Sequence, residues 1–276
     1  MGELYLTRRT EISFAHRHAH PAWDEATNAR VFGKSHRLHG HNLLLEVTVA
    51  GRVEERTGMV FNMSRLKGLL GEVALSLDHR NLNEDVPELR DRIPTPENVV
   101  RWVWTRLAPR VAPGRLARVR VQDGGEAAAY EGEGGPPPPP APGPVYVTRA
   151  YTFSSAHRLH SPALSDEENR KVYDKCNRPH GHGHTYRLEV TVAGSVRGDT
   201  GQVLPPGELD AAVQQAVVSR FDHADLNADP LFRERVPTAE NLLRVIWELL
   251  KDALPAGTLH RLRLEETRDS FFEYYG

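Results

Sequence analysis

This chain of 276 residues has a single cysteine, Cys176. No disulfide can therefore form within it, and its chemistry suits a reducing cytosol. It has no run of about 18 apolar residues, which argues against a membrane-spanning helix. It has no excess of either charge. Its 35 Lys and Arg face 37 Asp and Glu, a net charge of −2 that offers little to nucleic acid or an anionic membrane. The opening residues Met1 to Arg9 lack an apolar core of signal-peptide length. The expectation is a cytoplasmic globular protein, and 39% hydrophobic with 26% charged residues fits that class. The length allows two domains, each with its own core.

What the chain has instead is one histidine pattern written twice. His39-Gly40-His41 leads into Leu45-Glu46-Val47-Thr48-Val49-Ala50-Gly51. His182-Gly183-His184 leads into the identical Leu188-Glu189-Val190-Thr191-Val192-Ala193-Gly194. Each copy has an upstream histidine, His16 or His157, and a downstream pair, Asp78-His79 or Asp222-His223. Between the copies, residues 132–144 read GEGGPPPPPAPGP. Proline has no amide to donate and a fixed φ, so this stretch neither joins a sheet nor continues a helix. It reads as an extended linker of about 3.1 Å per residue. The domains expected are 1–131 and 145–276.

Both halves have the same order of elements. Alternating residues predict a first strand over 4–14 and 145–153, and the repeated LEVTVAG segment is the second. The polar stretch between them reads as irregular. Gly58 to Phe61 and Gly201 to Leu204 predict a short third strand. Helices are expected over 64–77 and 206–221, and again from Thr95 and Thr238, where threonine caps and glutamate complements the dipole. A last strand closes each half at 115–122 and 259–265, with one more at 271–275 in the second. The fold class is α+β: an antiparallel sheet with two helices packed on one face, twice.

Residues i and i+2 of a strand point to one side, so His39 with His41, and His182 with His184, can reach one ion. His16 or His157 supplies a third nitrogen. Three imidazoles leave one tetrahedral position open, the arrangement of catalytic zinc. His180 sits in an overlapping His-Gly-His frame, but the strand that follows selects His182 and His184. His18, His20 and His160 read as ordinary loop histidines. Cys176 has polar neighbours, a preceding lysine and the metal site just downstream, all of which favour a thiolate. Asp222 and His223 can complete a proton relay with it. The first half has Ser35 there, a hydroxyl far less acidic than a thiol of pKa about 8.5.

Together these residues resemble the 6-pyruvoyltetrahydropterin synthase and 6-carboxytetrahydropterin synthase family, in tandem. The second half carries the motifs from Phe153 through Leu159, Leu164 through Asn169, Cys176 through Tyr186, Phe221-Asp222-His223, Thr238 through Asn241 and Glu265-Glu266-Thr267. The resemblance implies the tunnelling fold, in which domains ring together as a homo-oligomer. It implies Zn2+ on His157, His182 and His184, and a lyase acting on 7,8-dihydroneopterin triphosphate with loss of triphosphate. Cys176 would be the base, Asp222 and His223 its relay, and Glu266 with Thr267 and Thr238 the pterin-binding groups. The product stays open between the pyruvoyl branch of tetrahydrobiopterin synthesis, the carboxy branch of queuosine synthesis, and a hydroxymethyl pterin formed by cleavage of the side chain. A zinc- or pterin-binding protein without turnover is the other class. Ser35 stands four residues before His39, the carboxy-type spacing, whereas Cys176 stands six before His182. The position of Glu266 is taken by Asp123 and that of Thr267 by glycine, so the first half lacks the base and has a weakened anchor. Asp78 and His79 either complete a Cys176 site across an interface or only hold their own loop.

Overall fold

The structure, a computed structural model, describes residues 2–90, 92–124, 126–131 and 143–276. All of the expected linker except Gly143 and Pro144 lies outside the described residues. The chain forms two compact units, residues 1–148 with 193–205, and residues 149–192 with 206–276.

In the first unit, strand β1 (Leu4–His16) is followed by helix α1 (Glu25–Phe32), strand β2 (His39–Gly51) and helix α2 (Met63–Leu77). A two-residue strand β3 (Arg80–Asn81), a helical turn α3 (Pro87–Arg90), helix α4 (Pro96–Leu107), and strands β4 (Arg115–Asp123) and β5 (Glu126–Glu131) complete it. The sheet order is β5-β4-β2-β1-β3. Neighbours are antiparallel except β3, which pairs parallel to β1 through Phe14 and Ala15. The alternation in β2 sends Leu43, Leu45, Val47 and Val49 into the core, each 5% exposed or less. Removing such side chains from water stabilises the fold by about 1.5–3 kcal/mol each. Leu66, Leu69, Leu70, Val73 and Leu77 of α2 and Val99, Val103 and Leu107 of α4 supply the opposing stripe.

The second unit repeats the plan, on strands whose outer ends, residues 145–148 and 193–194, are counted with the first unit. It has β6 (Val145–His157), α5 (Asp166–Tyr173), β7 (His182–Gly194), and a helical run made of α6 (Pro206–Val213), a π segment at Gln214–Val218 and α7 (Ser219–Phe221). Then come β8 (Ala224–Asp225), α8 (Ala239–Ala253), β9 (Leu259–Thr267) and β10 (Ser270–Tyr274). The order is β10-β9-β7-β6, with β8 on β6.

Three expectations need correction. No strand forms at Gly58–Phe61 or Gly201–Leu204. Met59 makes one isolated bridge with Glu54, and Gln202 O accepts from Arg197 N at 3.0 Å, so both are closed turns. The stretch read as irregular holds α1 and α5. They are held by a side-chain cap on Asp24, by the Ser165–Glu168 capping box, and by Asn28 and Asn169, whose amides each bridge three loop carbonyls. The first unit also has a closing hairpin strand, β5, through the turn at Gly124.

In the first unit, Thr95 caps α4, accepting from Asn98 N at 3.2 Å, while its hydroxyl donates to Gly201 O at 2.5 Å. Glu97 accepts from Val203 N at 3.2 Å and is 5% exposed. Burial pushes its carboxyl up to about 7.

Candidate metal centre and active site

Strand pairing builds each histidine cluster. In the first unit His16 lies opposite His39 and Phe14 opposite His41, so three imidazoles from two adjacent strands converge. Ring centroids of His16, His39 and His41 stand 4.6, 5.1 and 5.0 Å apart. Those of His157, His182 and His184 stand 4.5, 5.2 and 5.0 Å apart. In each triad one nitrogen per residue falls within 4.8 Å of the others. The glycine between the paired histidines is needed for contact: a Cβ on Gly183 would lie 3.0 Å from Ser155 O.

The hydrogen bonds around the rings fit them for an ion. His157 Nδ1 lies 2.8 Å from Pro237 O and His16 Nδ1 2.7 Å from Pro94 O. A carbonyl only accepts, so each Nδ1 carries the proton and each Nε2 keeps its lone pair. His39 Nδ1 is fixed the same way on Arg37 O at 2.7 Å. His157 Nε2 and His182 Nε2 point at each other across 3.0 Å, and buried His16 Nε2 has no partner. Burial is the first cause holding His157, His182 and His184 below the ordinary imidazole range, and it holds His16 at about 4. These are neutral nitrogen donors near pH 7, a set suited to zinc.

Cys176 lies in a 3-10 turn, Asp174–Asn177, and Ser35 in the matching turn, Gly33–His36. Leu159 N donates to Cys176 O at 2.9 Å and His18 N to Ser35 O at 2.8 Å, so the two residues occupy one place in the fold. The six- against four-residue spacing arises in the loop after that turn. There Gly181 adopts φ +70, and a Cβ would lie 2.9 Å from His157 O. Burial first, and then the Glu266 carboxylate, push the Tyr186 hydroxyl up.

Asp222 and His223 follow α7. Asp222 Oδ1 accepts from Ser154 N at 2.8 Å, its other oxygen meets His223 Nδ1 at 3.0 Å, and His223 N donates to Ser154 O at 2.6 Å. Asp78 and His79 repeat this on Ser13 at 2.7, 2.9 and 2.5 Å. Both histidines have φ 56, a left-handed backbone uncommon outside glycine. Both are highly exposed. Among the described residues, neither pair is hydrogen-bonded to Cys176 or Ser35.

Glu266 lies 3.8 Å from His184 Nε2, and the Tyr186 hydroxyl donates to it at 3.5 Å. Thr267 and Thr238 have local work: the Thr267 hydroxyl meets Ser270 Oγ at 2.8 Å in the β9–β10 turn, and Thr238 caps α8. Asp123 meets His41 Nδ1 at 2.5 Å, so this carboxylate is spent on a ring of the cluster. His20 and His160 are loop histidines as expected, and His180 is exposed on the rim of a cleft. That open cleft of about 590 Å³ beside His157 also carries Arg158, Arg233 and Arg235, with Asp225. His18 is not an ordinary loop residue: it is buried, 4.9 Å from His16 between ring centroids.

A model of one family, described as 6-pyruvoyl tetrahydropterin synthase, matches residues 5–133 and again residues 146–276. The chain belongs to this family. The 6-pyruvoyl tetrahydrobiopterin synthase of Poecilia reticulata is 44% identical over 132 residues, 48% of this chain and 90% of that protein. The human protein of the same name is 41% identical over 131 residues, 47% of this chain and 90% of that protein. Half of this chain thus accounts for nearly all of a relative, as a tandem member of the family requires. The crystal structure of uricase from Arthrobacter globiformis is similar over 96% of this chain and 80% of that one, at TM-score 0.53 and 9% identity. At that identity the likeness is one of fold.

Proposed function

We propose that the second of two synthase domains, residues 145–276, converts 7,8-dihydroneopterin triphosphate with elimination of triphosphate, and that the first, residues 1–131, does not. The observation that carries this is that Cys176 shares one unit with the neutral triad His157, His182 and His184 and with Glu266. Zinc held by that triad would act as a Lewis acid on the substrate side-chain hydroxyls and make the adjacent C–H more acidic. Glu266 accepts the paired N–H donors on the guanidine-like edge of the pterin. The Cys176 thiolate takes the side-chain proton, and an Asp-His pair relays it, either Asp222 with His223 or Asp78 with His79 of another copy. The cationic cleft of Arg158, Arg233 and Arg235 suits a polyphosphate leaving group.

The working form is a homo-oligomer. In the first unit, Thr200 and Gln202 are each 3% exposed against the start of α4. The repeat-related residues Thr57 and Gly58, and Glu240 at the start of α8, match Thr200, Gly201 and Glu97 and are exposed, with Met59 in place of Gln202. A second copy of the chain fits these two unpaired surfaces to each other.

Purified protein loaded with zinc and incubated with dihydroneopterin triphosphate should release inorganic triphosphate. The product mass should be that of the pyruvoyl compound rather than the carboxy compound. Pterin binding without triphosphate release would sink the reading in favour of a binding protein.

A further inference from the structure

The three histidines of the first unit have a fourth neighbour that the second unit lacks. His18 stands where the second unit has Leu159, two residues after the histidine that ends the first strand and bonded through its amide to the same 3-10 turn. Its side chain is 6% exposed, and neither ring nitrogen has a hydrogen-bond partner. Phe32, on one side at 6.0 Å, offers nothing polar. On the other side the ring meets His16 edge-on at 4.9 Å and His39 at 6.0 Å between centroids. A buried imidazole with both nitrogens unpaired is an unmet demand for a partner, and a cation at the adjacent cluster would meet it.

A second observation points the same way. In the first unit Asp123 Oδ2 holds His41 Nδ1 at 2.5 Å, the carboxylate–imidazole arrangement that fixes a ligand ring and raises its basicity. In the second unit Glu266 stands 3.8 Å from His184 Nε2, with only a long bond from Tyr186. The first cluster is therefore supported as a place to hold an ion, and its carboxylate is not offered to a ligand.

We propose that the first unit carries a closed, structural zinc-type centre, in which His18 joins His16, His39 and His41 as a fourth nitrogen ligand. The second unit keeps three ligands and an open position. This rests on the reading that both clusters take a divalent metal. His18 stands outside the 4.8 Å group of the other three. To join it, its ring closes on His39 from 6.0 Å toward the 5.0 Å that separates His39 from His41. Four nitrogens complete a tetrahedron and leave no place for water or substrate.

The test uses the full chain with His182→Ala and His184→Ala, so that bound metal reports on the first unit, loaded with cobalt(II) as a spectroscopic stand-in. The expected spectrum is tetrahedral and unchanged by added azide. Adding His18→Leu, the residue the second unit tolerates, should weaken retention against a chelator roughly tenfold or more and make the spectrum respond to azide. His18→Gln is the companion variant, and the thermal unfolding of each is compared with the parent. The proposal is overturned if the parent already binds azide, if the parent holds no metal, or if both His18 variants retain cobalt as the parent does.

Discussion

At the scale of single residues, the two units differ at a place where their backbone hydrogen bonding matches. Cys176 and Ser35 sit in matching 3-10 turns, each accepting a backbone amide from the strand-end loop. A thiol is by nature far more acidic than a serine hydroxyl, and its anion a far better base to form on an enzyme. Cys176→Ala should therefore lower turnover by about 10²–10⁴-fold while metal analysis shows the zinc retained, and Ser35→Ala should leave turnover unchanged. Substantial activity in Cys176→Ala, or its loss in Ser35→Ala, would move the active site to the other unit. Four of the ligand-type histidines, His39, His41, His182 and His184, were legible because a period of two on a strand is a geometric rule, and His16 and His157 because each copy repeats them upstream. His18 was not. Its burial comes from packing on Phe32 and His16, and nothing in Arg17-His18-Ala19 marks one loop histidine as inside and His20 as outside.

At the scale of elements, long periodic segments were legible and short polar ones were not. β2 and β7 were readable because they alternate. α1 and α5 are eight residues each with few apolar positions, so no hydrophobic period exposes them. Their signal lay in the caps: Ser165 with Glu168 three residues on is a capping box, and Asp24 is a side-chain N-cap that accepts from Thr27 N. β5 was announced by Asp123-Gly124-Gly125, a hairpin turn signature, ahead of a segment whose alanines carry little strand signal. At the start of α4 the motif read as a cap holds more than a cap. Glu97 keeps its proton up to about 7 in the folded chain, against 4.5 for a free carboxyl. The folded state thus binds more protons between those values, so its stability is fully present below 4.5 and declines as pH rises through 7. Glu97→Gln should remove a part of that decline on the order of 3 kcal/mol. Urea midpoints of the variant and parent at pH 5 and pH 8 measure it as a difference. Parallel profiles would show that water reaches the carboxylate.

At the scale of the whole molecule, the repeated Asp-His pair raises the question of which pair serves Cys176. Asp78-His79 and Asp222-His223 have the same bonds and the same left-handed histidine backbone. Their own loops are thus held equally well, and local structure does not choose between them. If a first unit completes the Cys176 site of another copy, His79→Ala should impair turnover at unchanged zinc content and oligomer size. If only His223→Ala does so, the hybrid site is excluded. Light scattering on both variants supplies the size, which should exceed one chain. The Asp123–His41 contact has a further consequence, for redesign of the chain. A cysteine placed at position 35 would enter a unit whose carboxylate is already engaged by a ring. Under the proposed division of labour, base and anchor are two separate deficits, and no single substitution supplies both. Ser35→Cys alone is therefore expected to add no turnover to a chain carrying Cys176→Ala, and two coordinated changes are the least that an engineered second catalyst would need.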